Sequence, residues 1–297
     1  MVQKQSVGEQ VFNIANIIFM IILSICTIYP FWNVFITSIS PPGEANAYSL
    51  HLYTLNPTWQ GYQKIMQNAY LLVAYRNTIL RTVVGTSVNV FLSCLVAYPL
   101  SKKYLPLRNV WTGIIVFTMF FSGGLIPSYL LMKSLNLVGR FWALILPGAI
   151  GTYNMIIVRN YFQSLPADIE ESARIDGASE LRVLLQIVLP ISVPIIATVS
   201  LWYAVGHWNA WFDAMIYTSS DNLMVLQLLL RKMVIEGSSQ YMESSGVSAV
   251  TDTAEYVMTP SVIKTSAIIV ATLPIMCVYP FIQKYFMKGI MVGSLKG

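Results

Sequence analysis

From Gln10 to Gly43 the chain runs for 34 residues without a single Asp, Glu, Lys or Arg. A helix rises about 1.5 Å per residue and the hydrocarbon core of a bilayer is about 30 Å thick, so roughly 20 such residues suffice to cross it. Five further charge-free apolar windows follow, at 82–101, 109–132, 141–158, 183–212 and 265–283. A seventh, 45–63, contains His51, Asn56, Pro57, Gln60, Gly61 and Gln63 and is too polar to insert; it reads as external loop. Only 10% of the residues are charged against 56% apolar, and mean hydropathy is +0.62, which excludes both an ordinary soluble enzyme and a disordered chain.

The net charge of +5 does not point to nucleic acid, because the 18 Lys and Arg are dispersed and form no basic run; they read as charges flanking membrane spans. Cys26, Cys94 and Cys277 each lie in an apolar run, where a thiol acts as a small hydrophobe and no disulfide is expected. The first apolar stretch is too long for a signal peptide and is expected to remain as a span.

These windows predict an all-α polytopic membrane protein, one transmembrane domain over 1–297. Its six transmembrane helices lie near 11–36, 77–100, 109–132, 141–161, 191–216 and 260–284. Lys102, Lys103 and Arg108 crowd one short loop, the local excess that marks a cytoplasmic side, and an even span count then places both termini there. Pro30, Pro99, Pro127, Pro147, Pro194, Pro274 and Pro280 sit in or beside spans, as kinks or as hinges. The connections 37–76 (outside), 162–190 (inside) and 217–259 (outside) are longer than linkage requires, so function is expected there. In 217–259, apolar residues at 223, 226, 230 and 234 predict a short helix, either a folded lid or a contact for a partner.

Five of the 13 acidic residues fall between Asp168 and Glu180. Pro166 followed by Asp168, Glu170 and Glu171 suits the start of a helix, whose N-terminus favours negative charge. Gly177 supplies a left-handed residue to end it, and Ser179 can cap a second helix running toward Pro190. The segment therefore reads as helix, turn, helix on the cytoplasmic surface. Ala173, Gly177 and Ala178 are small enough for close approach of another protein, and Ile169 and Ile175 give apolar grip.

Glu171-Ser172-Ala173, then Gly177, then Ile187, Leu189 and Pro190 resembles the Glu-Ala-Ala signature of binding-protein-dependent ABC importer permeases, with Ser172 for the usual second alanine. Gln283-Lys284-Tyr285-Phe286, Lys288-Gly289-Ile290, Gly293 and Lys296-Gly297 resemble the tail of the carbohydrate branch, as in the smaller maltose-type permease subunit. Arg76-Asn77-Thr78-Ile79 and Trp208-Asn209 agree, although Ala210 stands where that pattern has an acid. The resemblance implies that Glu170, Glu171, Ser172, Ala173, Asp176, Gly177 and Ala178 form a coupling helix between spans four and five, docked on an ATPase. It also implies that the cytoplasmic tail 285–297 contacts that ATPase through Lys288, Gly289, Gly293 and Lys296. The implied partners are a second permease, two ATPase subunits, an extracytoplasmic solute-binding protein and the lipid bilayer, in the cytoplasmic membrane.

No G-x-x-x-x-G-K-[ST] phosphate loop exists in the chain, so ATP and Mg are expected on the partner ATPase, with no cofactor or metal here. His51 and His207 with three scattered cysteines suggest neither a metal cluster nor a nucleophile triad, and no catalytic residue is expected. Polar groups inside spans usually face a cavity or a partner helix. Trp202, Gly206, Asn209 and Asp213 follow one another at steps of four, three and four, which would place them on one face of the fifth span as a substrate path. Two readings fit the tryptophans, stacking on sugar rings or an aromatic belt at the membrane interface. His207 reads as a helix-packing hydrogen bonder. The expected function is one permease subunit of an ATP-driven sugar or oligosaccharide importer. An importer branch for another solute class is the first rival, and an ion-coupled secondary transporter the second.

Overall fold

A computed structural model describes residues 7–45, 52–218, 220–235 and 261–277, and every regular element among them is helical. The chain divides into two compact units, Met1–Ala69 with Leu230–Leu273, and Tyr70–Leu229 with Pro274–Gly297.

In the first unit, α1 (Val7–Ile39) is apolar on all sides and buries side chains only at its end, at Ile36, Thr37 and Ser38. A helix apolar all round needs lipid or other protein to cover it. Its end meets α2 (Gln60–Met66), where the Ser38 and Tyr62 hydroxyls are 2.7 Å apart. A third helix, Ser261–Cys277, reaches the same point, and the Ser266 hydroxyl donates to the Ser38 carbonyl at 3.1 Å. Gly61 permits this meeting, since a Cβ there would lie 2.5 Å from Ser266 Oγ.

The second unit is organised around α3 (Leu71–Ser101). It continues through α4 (Arg108–Phe120), α5 (Leu125–Ser134), two 3₁₀ turns over Phe141–Gly148, α6 (Thr152–Gln163), α7 (Ala167–Ile175), α8 (Glu180–Ile191), α9 (Val193–Asn209) and α10 (Phe212–Tyr217). Helices α6 and α9 pack along α3. Toward the end of α3 they enclose a core of Cys94, Ala97, Tyr98, Met155, Val158, Phe162, Val183, Leu184, Val188, Val199 and Tyr203. Helix α11 (Leu226–Ile235) begins in this unit, with Leu226 and Leu229 fully buried, and supplies the outer helix expected from the 223–234 stripe.

The expected spans are not all straight rods. Helices α1 and α3 are long and apolar enough to cross a membrane alone, whereas three others are bent pairs. The third span bends by 112° between α4 and α5, where Gly124 adopts φ +87°, open to glycine without strain. The fourth bends by 54° between the 3₁₀ turns at Pro147 and α6. Helix α8 turns by 85° into α9. Pro190 and Pro194 flank that turn and lack the N–H that would continue the ladder, and Leu184–Val188 just before it is wound as π-helix. Helix Ser261–Cys277 covers part of the sixth window; Pro280, Lys284 and the tail residues Lys288, Gly289, Gly293 and Lys296 lie outside the described residues.

Gly85 marks the tightest approach of α3 to α9, because a Cβ there would lie 2.5 Å from the His207 ring. Gly85→Val is expected to destabilise the permease by about 1–3 kcal/mol through overpacking, while Gly113→Val, with open space around it, shifts thermal unfolding in detergent by less than half as much.

Candidate functional site

Two groups of residues stand out, one at each end of α3. At its Ser101 end lies the elbow formed by α7 and α8. Pro166 precedes the first helical residue, and Asp168 and Glu170 sit in the first turn, as the charge pattern predicts. Gly177 closes the helix at φ +79°, with its N–H bonded to the Arg174 carbonyl and the Ala178 N–H to that of Ala173, the two bonds of a Schellman stop. Ser179 is extended at the start of α8, but its side chain makes no capping bond.

The elbow is fastened to α3 by ion pairs. Lys102, just past the last residue of α3, pairs with Glu170, and both are buried. Arg174 reaches Glu170 at 3.3 Å and Glu180 at 2.9 Å, and lies over the Tyr104 ring. Tyr98 and Tyr104 donate to the two Glu180 oxygens at 2.8 and 3.0 Å. Partial burial would raise the Glu180 carboxyl, but the bonds from Arg174, Tyr98 and Tyr104 outweigh it and hold the group below the usual carboxylate range. A depressed folded-state value means that this anchor is present at neutral pH and is lost as pH falls through that value.

This geometry divides the residues expected to couple. Glu171, Ser172, Asp176 and Gly177 are exposed, and with Ile175 (86% exposed), Ile169 and Leu181 they make an outward face with apolar grip. Glu170 does not belong to that face, because its buried carboxylate is committed to Lys102 and Arg174. Ala173 and Ala178 are likewise turned inward, packed on the core around Tyr98 and Val183. Their smallness serves internal packing, and only Gly177 leaves open space around it.

Near the Leu71 end, α3 carries polar or small residues at every fourth position: Asn77, Arg81, Gly85, Asn89 and Ser93, all buried. Each meets a specific partner. Asn77 donates to the Asn222 and Met224 carbonyls at 2.7 and 2.9 Å. Asn89 lies 3.1 Å from His207 Nε2 and donates to the Gly148 carbonyl, and Ser93 is 2.8 Å from the Tyr203 hydroxyl. Arg81 forms a two-pronged ion pair with Asp213 and also donates to the Ala210 carbonyl at 3.2 Å.

The expected face of Trp202, Gly206, Asn209 and Asp213 is therefore incomplete. Helix α9 stops at Asn209, Ala210 is extended (φ −74°, ψ 129°), and Asp213 falls in the first turn of α10. Trp202, Gly206 and Asn209 do share one side of α9, where Gly206 and Asn209 are exposed and Trp202 lies near Tyr153. Asp213 is instead held by Arg81, its side chain 28% exposed. His207 is buried as a packing hydrogen bonder, and Trp208, 9% exposed, is a core residue and not part of a lipid-facing belt. The sequence reading gives Arg81 and Arg174 no site role, takes Lys102 only as a marker of the cytoplasmic side and counts Glu180 only among the acids of the elbow; the four-residue spacing from Asn77 to Ser93 is the signal that points to Arg81.

Breaking one side of a buried ion pair strands the other charge. Lys102→Met is expected to cost about 3 kcal/mol, and the double change Lys102→Met with Glu170→Met to restore most of it, as read by thermal unfolding and by protease protection of the elbow.

Comparison with known proteins agrees with this architecture. Residues 71–292 match the family described as binding-protein-dependent transport system inner membrane component. Protein LplC of Bacillus subtilis (strain 168) is 41% identical over 289 residues, covering 97% of this chain and 96% of that protein. The polygalacturonan/rhamnogalacturonan transport system permease protein YtcP of the same strain is 39% identical over 279 residues, covering 94% and 96%. A chain from the crystal structure of a bacterial ABC transporter involved in import of the acidic polysaccharide alginate superposes with a TM-score of 0.86 at 29% identity, covering 96% of this chain and all of that one. The chain belongs to the family of binding-protein-dependent transport system inner membrane components, and is a membrane component of a multi-subunit importer.

Proposed function

We propose that this member of the binding-protein-dependent permease family is one of two permease subunits in an ATP-driven importer of sugars or oligosaccharides. The relative and the solved structure named for polygalacturonan and alginate support the carbohydrate class. ATP is hydrolysed by a separate subunit, docked on the cytoplasmic elbow, and a solute-binding protein delivers the ligand from the other side. Both termini then lie in the cytoplasm, consistent with Lys102, Lys103 and Arg108 at the elbow's side of the membrane.

The observation that carries this reading is the elbow itself. Ile175, Ile169 and Leu181 are all exposed on the outward face of this otherwise polar elbow, a patch suited to cover by a protein surface, and the ion pairs beneath make it a rigid lever. Motor closure would push α7, and Lys102 with Glu170 would pass that displacement to the end of α3. Alternating access follows if the two permease subunits have two arrangements that ATP binding favours differently.

The purified chain is expected to hydrolyse no ATP without a co-purifying motor. Gly177→Val forces a branched side chain to φ +79°, a strain of about 1–2 kcal/mol or more, and is expected to reduce ATPase pull-down at least tenfold while the protein still inserts. Ile175→Asp should do the same without backbone strain. Pull-down equal to wild type in both variants would remove the elbow from the docking site.

A further inference from the structure

Arg81 is the one buried element of the α3 stripe that carries a full charge, and its circumstances are unusual. Its side chain is 3% exposed, while that of its partner Asp213 is 28% exposed, so the carboxylate is the member of the pair that solvent or a solute can reach. The fork is also not fully used. Both terminal nitrogens are engaged, with Asp213 and the Ala210 carbonyl, whereas Nε is buried and has no hydrogen-bond partner. A guanidinium offers five donors in a planar fork, and a carboxylate can bind across the Nε edge as readily as across the terminal pair. Buried donors left unmade in a native structure call for an explanation.

A buried ion pair is seldom more stabilising than an apolar pair of equal size, and an ionisable residue within a span is a functional feature by default. Arg81 lies ten residues into α3, roughly 15 Å along it from Leu71. It sits where the backbone leaves helical geometry at Ala210 and Trp211. Discontinuous helices in transporters mark such sites, because irregular backbone at membrane depth is tolerated only in protein or along a water-filled cavity. Gly206 and Asn209 on α9 are exposed next to this break, and the rings of Trp211 and Phe212 beside it stand edge to face at 5.5 Å.

We propose that Arg81 is a carboxylate-recognition group of the translocation path, neutralised by Asp213 when the path is empty and handed to a carboxylate of the passing substrate when it is loaded. The substrate class is then an acidic oligosaccharide, one containing uronic acid residues. The exchange keeps Arg81 paired throughout, with Asp213, the more exposed member, leaving the fork as the substrate carboxylate arrives. This inference rests on the carbohydrate reading above and narrows it.

The test uses the complete transporter in proteoliposomes, with its binding protein, and two probes of one backbone: a uronic acid oligosaccharide and its neutral methyl ester. Because the binding protein is common to all samples, a change in the acid-to-ester uptake ratio between permease variants reports the permease. Arg81→Met with Asp213→Leu removes both charges and strands neither; co-purification of the ATPase and thermal unfolding verify that it folds. The ratio is expected to fall at least tenfold in this double variant, with ester uptake retained, and Asp213→Asn is expected to raise the KM for the ester relative to the acid. An unchanged ratio in a folded double variant overturns the role of Arg81 while leaving the carbohydrate reading intact. If wild type imports the ester and not the acid, the acidic class is wrong and the carbohydrate reading stands. If wild type imports neither probe and no other oligosaccharide, the carbohydrate reading fails and this inference falls with it.

Discussion

Hydrocarbon offers no hydrogen-bond partner, so every polar group that enters the membrane with this chain has to find one inside the protein. Helix α3 shows how that is done for its buried stripe, although Arg81 Nε, Thr82 Oγ1, Thr86 Oγ1 and Asn89 Oδ1 on the same helix are buried without a partner among the described residues. Its polar positions recur every fourth residue from Asn77 to Ser93, and each bonds a backbone carbonyl or side chain from the segments packed on it. The partners are the places where regular structure fails: the Ala210 carbonyl at the break after α9, the Gly148 carbonyl at the bend before α6, and the Asn222 and Met224 carbonyls ahead of α11. Bent and broken helices are tolerable here because α3 supplies the donors their freed carbonyls lack.

The same helix gives the unit mechanical continuity. It is 31 residues long, about 45 Å, and carries Arg81 near one end and Lys102 just beyond the other. Arg81 holds the break between α9 and α10; Lys102 holds α7 through Glu170. Under the proposed function, a push on the elbow and a rearrangement at the break act on one rigid rod. Charged pairs suit both ends, since they fix direction and register in a way that apolar contacts, which slide at little cost, do not.

The elbow was the most legible part of the chain. Its helix start and its stop at Gly177 follow from local rules, proline and acids at the first turn and a left-handed glycine at the last, whereas α8 begins after Ser179 without the capping bond expected of that side chain. The windows of apolar residues also identified the helical membrane class without any knowledge of packing. Less legible was which side of the elbow faces out. Ala173 and Ala178 were read as contact residues because they are small, but smallness is equally what burial against Tyr98 and Val183 demands.

What the sequence determined by itself is therefore the solvent, the helices and the local stops, because hydropathy, charge-free length and capping chemistry act over a few residues. What only tertiary structure decided is where helices bend and which charges meet. Asn209 and Asp213 share a face in any continuous helix, and no local rule near Ala210 announces that the helix ends there. At the stop stands Arg81, 129 residues earlier in the chain, as donor to the Ala210 carbonyl and counter-ion to Asp213. Lys102 and Glu170, 68 residues apart, are likewise paired only once α3 and α7 are packed. A charge at the edge of an apolar window looks like a flank until the fold brings its partner to it.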